Sequence, residues 1–231
     1  MADINLRDVA KYYNNQDHQN FALDFLQDHI PEGILVKFSD LWRSGPKNTL
    51  PNNGSGICLN VPYEYQLDNE SGTGWRECFS SSCAMVAKYY GKVKSDDEYN
   101  RIRKRYGDST NVEAQLDTLE HLGLRAKFVK SGTPELLRGE LDANRPVVVG
   151  WLHKGPVGAP SGNGHYSVVI GYIPGAWIHH DPNGEADMVR GGYTNHSGGK
   201  AVVYSQKNWN KRWEVEGPGS GWAILIENPS K

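Results

Sequence analysis

Cysteine is scarce: Cys58, Cys78 and Cys83 are the only three in a chain of 231 residues. An odd, uneven set gives no disulfide framework, and Cys78 and Cys83 sit at a helix start with diverging side chains. Free thiols fit a reducing compartment. No apolar run approaches the roughly 20 residues a bilayer span needs, so membrane insertion is not expected. A basic-then-apolar leader is missing as well, since the chain opens Met1-Ala2-Asp3-Ile4-Asn5-Leu6-Arg7-Asp8. The protein is therefore expected to be made soluble in the cytosol, reaching any extracellular substrate only after release. Charge of one sign is also lacking: the net charge of −2 and the absence of a Lys/Arg stripe disfavour nucleic acid as the main partner. There is no His-x-x-x-His or Cys-x-x-Cys pair. The acidic stretch Asp181-Pro182-Asn183-Gly184-Glu185-Ala186-Asp187 does not have calcium-loop spacing and reads as a turn. No metal and no cofactor are expected, and nothing sets an oligomeric state.

What is present divides the chain. Residues 1–45 read as a small helical unit with segments at 8–13, 19–26 and 31–42. Residues 46–56 read as a linker rich in Asn, Gly, Ser and Pro, and residues 57–231 as the main domain. That domain opens with an extended run over 57–63. A helix from Cys78 stops at Gly91, and Ser95-Asp96-Asp97-Glu98 forms a capping box for the next helix. Thr110-Asn111-Val112-Glu113 opens a third, with Leu116, Leu119 and Leu122 as its seam and Gly123 as its stop. A strand is expected over 124–129, then a helix from Thr133-Pro134-Glu135. Strands follow over 146–151, 166–172, 177–180, 201–204 and 222–226. Helices first and strands afterwards, with Gly 26 and Pro 12, give an α+β fold with an antiparallel sheet in the second half. A cleft between the layers would have Cys78 on one side and His165 on the other.

Cys78 is the most informative residue. A thiol in the first turn of a helix sits beside unpaired N–H groups and the positive end of the dipole, which favour the reactive thiolate. It follows Gly72-Thr73-Gly74-Trp75-Arg76 and precedes Ser80, Ser81 and Ser82, which would keep that turn slim. Cys83 falls on the inner seam with Phe79, Val86 and Tyr90, and Cys58 alternates with apolar neighbours, so both read as structural. Of the eight histidines, His165 begins a β-rich run after a flexible Gly/Pro segment. From there it could act as a general base. His153, His18, His29, His121 and His196 have no comparable setting, and His179 and His180 face opposite ways along one strand. Asp181 ends the strand after His165 and could orient the imidazole, although its Asp-Pro-Asn-Gly context also reads as a turn. Gln66, upstream of the thiol, could add a side-chain N–H to an oxyanion hole with the Cys78 N–H. Trp42, Trp75, Trp151 and Trp209 could line a groove, or fill the core.

The order Gln, Cys, His, acid is that of a papain-like cysteine peptidase. Five stretches carry a closer resemblance. They are Val61-Pro62-Tyr63-Glu64-Tyr65-Gln66-Leu67-Asp68-Asn69, Glu77-Cys78, Ala84-Met85-Val86-Ala87-Lys88-Tyr89-Tyr90-Gly91, Gly164-His165-Tyr166-Ser167-Val168-Val169-Ile170-Gly171-Tyr172, and Asp181-Pro182. Together, over about 57–185, they resemble the family of bacteriocin-processing (double-glycine leader) peptidases. The resemblance implies a papain-like fold, with Cys78 as nucleophile, His165 as base, Asp181 as orienter and Gln66 in the oxyanion hole. One departure is that Phe79-Ser80 replaces the usual Gly-Pro pair, which would reshape the cleft wall beside the thiol. The termini, Asp8-Val9-Ala10-Lys11-Tyr12-Tyr13 through Leu26 and Tyr204-Ser205 through Leu225, are similar to parts of phage lytic enzymes. That implies an endolysin that cuts peptidoglycan peptide stems or cross-bridges. The alternatives are a protein or leader-peptide protease, a zinc hydrolase built on the histidines, and a non-catalytic wall-binding or structural phage protein of the same fold.

Overall fold

The computed structural model describes residues 56–227. The helical unit expected over 1–45, with Trp42, and nearly all of the linker expected over 46–56 lie outside them.

After a two-residue strand, three helices precede the rest of the sheet. Helix α1 spans Cys78–Tyr89, and Gly91 ends it in the left-handed region at φ 70°, where a Cβ would be strained. Helix α2 spans Asp96–Arg103, and its expected cap forms: the Ser95 side chain accepts from the Glu98 N–H. Helix α3, Val112–His121, is capped by Asn111, whose side chain accepts from the Ala114 N–H. Thr110 does not cap it, because its hydroxyl donates to Asp108 Oδ1 at 2.7 Å. Strand β2, Ala126–Gly132, begins later than expected because the Leu124 N–H still closes the end of α3, donating to Leu119 O at 2.8 Å. Helix α4, Pro134–Asp142, has proline in its first turn and a Thr133 cap, as expected.

The sheet strands follow: β3 (Val147–Trp151), β4 (His165–Ile173), β5 (Ala176–His180), β8 (Val202–Ser205) and β9 (Gly221–Ile226). Strand β1 is only Ile57–Cys58 and pairs with Gly171 and Tyr172 of β4. The chain then turns, with the Val61 N–H donating to Leu59 O at 2.9 Å, and Pro62 has no N–H to continue a ladder. The sheet order is β2-β9-β3-β4-β5-β8, antiparallel throughout. A separate ribbon pairs β6 (Glu185–Ala186) with β7 (Tyr193–Asn195). The fold is the expected mixture of helices and antiparallel sheet.

Alternate residues of β4 face opposite layers. Tyr166 stacks on Phe79 of α1, with ring centroids 3.6 Å apart. On the other face, Ser167 bonds to Trp151 and His179, and there helix α5, Gln206–Trp213, covers the sheet. Both faces are therefore buried, and every residue of β3 and β5 is inside. Phe79 is 1 % exposed, so it belongs to the core rather than to the cleft wall. The serines of α1 are also not merely small. Ser81 donates to Asp96 Oδ2 at 2.8 Å and Ser80 accepts from Gln115 Nε2 at 3.0 Å, knitting α1 to α2 and α3.

Candidate active site

Cys78 is the first residue of α1, and no side chain caps that helix end. The residue that could have capped it, Glu77, is 2 % exposed and turned away. Its carboxylate accepts from Thr73 Oγ1 at 2.9 Å and pairs with Arg103 Nη2 at 3.3 Å. The first-turn N–H groups therefore share their end of the helix with the partly exposed Cys78 thiol.

His165 opens β4 opposite Trp151 of β3. Its Nε2 lies 2.8 Å from Asp181 Oδ1, which leaves Nδ1 as the ring nitrogen free for another partner, and Cys78 is near enough to interact with the ring. Asp181 is completely buried. Its Oδ1 also accepts from the Asn183 N–H at 3.0 Å, so the residue caps its own turn and holds the histidine through one oxygen. Both readings of Asp-Pro-Asn-Gly are realised together.

Gln66 bridges the two sides. Its backbone N–H donates to Pro182 O at 2.9 Å, next to Asp181. Its side-chain Nε2 donates to Gly74 O at 2.9 Å, four residues before the thiol. A Cβ on Gly74 would lie 2.1 Å from Gln66 O, so only glycine allows this approach. His165 and Asp181 thus meet directly and Cys78 interacts with the ring, while Gln66 reaches the segments on either side, at Pro182 and Gly74.

A family model described as papain-like cysteine protease AvrRpt2 matches residues 55–194. The chain belongs to this family of papain-like cysteine proteases. Among solved structures, a C39-like peptidase from Bacillus anthracis shares the fold. Its TM-score is 0.54 at 18% identity, over 76% of this chain and 99% of that one. The peptidase domain of Streptococcus ComA, described as a bi-functional ABC transporter, gives a TM-score of 0.50 at 21% identity, over 74% and 100%. No curated protein matches the sequence. The peptidase resemblance read from the motifs therefore holds at the level of the papain-like class and fold.

The protease surrounds His165 with rings. Trp151, His153 and Tyr193 have centroids 5.3, 5.7 and 5.7 Å from it. Burial opposes a charged imidazole, but the adjacent Asp181 and Cys78 outweigh it and raise the His165 pKa to about 10. His153 behaves oppositely: burial and the neighbouring His165 lower it to about 4. Sequence context assigns His153 no place beside the thiol, since nothing local predicts that the loop after β3 returns to the site. His179 and His180 do face opposite ways. His179 Nδ1 meets Ser167 Oγ at 3.0 Å, and His180 donates to Val61 O at 2.8 Å. Among the described residues no group of three or more His, Cys, Asp or Glu is arranged to hold a metal ion. Trp151 and Trp209 are core, whereas Trp75, three residues before the thiol, is 74% exposed. Cys83 and Cys58 are structural: burial raises Cys83 strongly and Cys58 to about 11.

Proposed function

We propose that the protein is an endopeptidase hydrolysing amide bonds by acyl transfer through Cys78, His165, Asp181 and Gln66. The reading rests on one observation: Asp181 engages Nε2 of His165, leaving Nδ1 for a thiol at an uncapped helix start. The Cys78 thiolate, paired with protonated His165, attacks the scissile carbonyl carbon. The oxyanion is held by the Cys78 N–H and by the Gln66 Nε2 hydrogen not given to Gly74. His165 gives its Nδ1 proton to the leaving amine as the C–N bond breaks. A water then loses a proton to His165 and attacks the thioester, and the acid departs as the thiolate is regenerated.

For the substrate we favour peptide stems or cross-bridges of peptidoglycan, with the protein acting as a phage endolysin on the wall after release from the host cytosol. The support is the similarity of residues 8–26 and 204–225 to phage lytic enzymes. A protein or leader-peptide substrate is the second reading, favoured by the shared fold with the ComA peptidase domain. Purified sacculi and an unfolded protein, each incubated with the enzyme, separate the two. New amine termini released from sacculi and lost in Cys78→Ala support wall cleavage. Digestion of the unfolded protein alone rejects it in favour of the second reading. No Cys78-dependent cleavage of either substrate rejects the peptidase assignment as a whole.

A further inference from the structure

Asp181 is anchored from a direction that the mechanism does not use. Its Oδ1 takes the His165 ring and the Asn183 N–H. Both bonds pull on the same oxygen, and the torsion that turns a carboxylate is intrinsically soft. A further anchor, most effective on Oδ2, is therefore needed to stop the group from rotating away from His165.

Tyr204 of β8 supplies it. Its hydroxyl lies 3.2 Å from Asp181 Oδ2 and accepts the Ala186 N–H at 3.0 Å. A phenol has one proton. With Ala186 donating to its oxygen, that proton is directed at the carboxylate. Tyr193 of β7 adds a longer bond, 3.4 Å, to Oδ1. The Tyr204 ring separately fills space between Trp151 and His179, with centroids 6.0 and 5.1 Å away, so phenylalanine would serve for packing alone. Tyr204 also lies past residue 194, where the family match ends.

We propose that Tyr193 and Tyr204 are positioning residues whose hydroxyls hold the Asp181 carboxylate in the orientation that keeps its proton-bearing partner, His165, facing Cys78. The inference rests on the reading of Cys78 and His165 as a thiolate–imidazolium pair. The titratable groups around the ring are Cys78 from α1, His153 after β3, His179 and Asp181 at the end of β5, and Tyr193 and Tyr204. Burial favours the neutral form of both neighbouring histidines and of both tyrosines, so the two hydroxyls remain donors across the working range.

The test needs no substrate. Iodoacetate is an anion, and Cys78 displaces its iodide fastest where thiolate and imidazolium coexist. The upper edge of that pH window reports loss of the His165 proton. Carboxymethylation of Cys78 is followed by peptide mass spectrometry in the wild type, Tyr204→Phe and Tyr193→Phe. A wild type with no such window rejects the active-site reading itself. Given the window, Tyr204→Phe is expected to lower its upper midpoint by about one pH unit, a tenfold loss of imidazolium at a fixed pH beyond it. Tyr193→Phe should give a smaller shift in the same direction. Unchanged midpoints in folded variants overturn the proposal. Raised midpoints overturn it too, because they mean that the hydroxyls only damp the charge of Asp181. Should Tyr204→Phe not fold, Tyr193→Phe decides alone, since it strips no backbone N–H of its partner.

Discussion

Arg103 and Glu77 form an ion pair of 3.3 Å with side chains only 5% and 3% exposed, one residue ahead of the thiol. Arg103 also donates to Gly107 O and Asn100 Oδ1, and Asn100 bonds to Asn69. The loop that delivers Cys78 is therefore tied to the end of α2. Removing one partner leaves the other charged, buried and unpaired. Arg103→Ala is expected to destabilise the protein by about 3 kcal/mol or more in urea denaturation. A loss below about 1 kcal/mol would show that the pair does not hold this loop.

Thiol reactivity should be sharply selective. Burial pushes Cys58 up to about 11 and Cys83 higher still, whereas Cys78 is partly exposed at an uncapped helix start. Iodoacetamide at neutral pH is expected to label Cys78 on the order of a hundredfold faster than the other two. Peptide mapping that finds Cys58 and Cys83 modified first would contradict this.

Cys78→Ala should lower turnover at least about a thousandfold while leaving the circular dichroism spectrum and melting temperature near those of the wild type. Residual activity close to the wild type would move the chemistry elsewhere.

His165 holds its proton more tightly in the folded protein, at about 10, than an ordinary histidine does at 6.5. The resulting stability is fully present below pH 6.5 and disappears as pH climbs through about 10. Wild-type stability is expected to fall across that interval more steeply than that of Asp181→Asn, which lacks the carboxylate. Urea melts at several pH values give both slopes, and parallel slopes would exclude Asp181 as the cause.

His180 works in the opposite sense. Burial lowers its pKa from 6.5 to about 4, and the neutral ring donates to Val61 O and accepts from the Ala201 N–H. Its contribution is present above pH 6.5 and is lost as pH falls toward 4. His180→Gln keeps a donor and an acceptor without titrating, so its acid-side decline should be shallower. An identical decline in both proteins would assign acid sensitivity to other groups.

Much of this architecture is legible in the residues, for reasons that differ from element to element. Gly91, Ser95 and Pro134 act locally, so the helices that they punctuate emerge where turn chemistry puts them. Helix α5 does not read as a helix, because its buried stripe is Trp209, Arg212 and Trp213, and a charged residue inside breaks the apolar pattern. Arg212 is buried because its guanidinium bonds to the carbonyls of Leu152, Lys154, Gly155 and Met188, a set of partners that no local window contains. Cys78 and His165 stand out because their surroundings suit a reactive thiol and a rigid base. Tyr193 and Tyr204 stay hidden because tyrosine is ordinary in strands, and only the register of β8 against β5 brings Tyr204 to the acid.

Strand β9, the last among the described residues, does not lie at the margin of the sheet. It runs between β2 and β3, so β2 has no hydrogen-bonded route to the rest of the sheet until Gly221–Ile226 is available. During synthesis the nucleophile, the base and the acid all leave the ribosome well before that strand. Joining β2 to the sheet therefore waits on Gly221–Ile226, and a nascent chain stalled short of that strand holds Cys78, His165 and Asp181 over an unfinished scaffold.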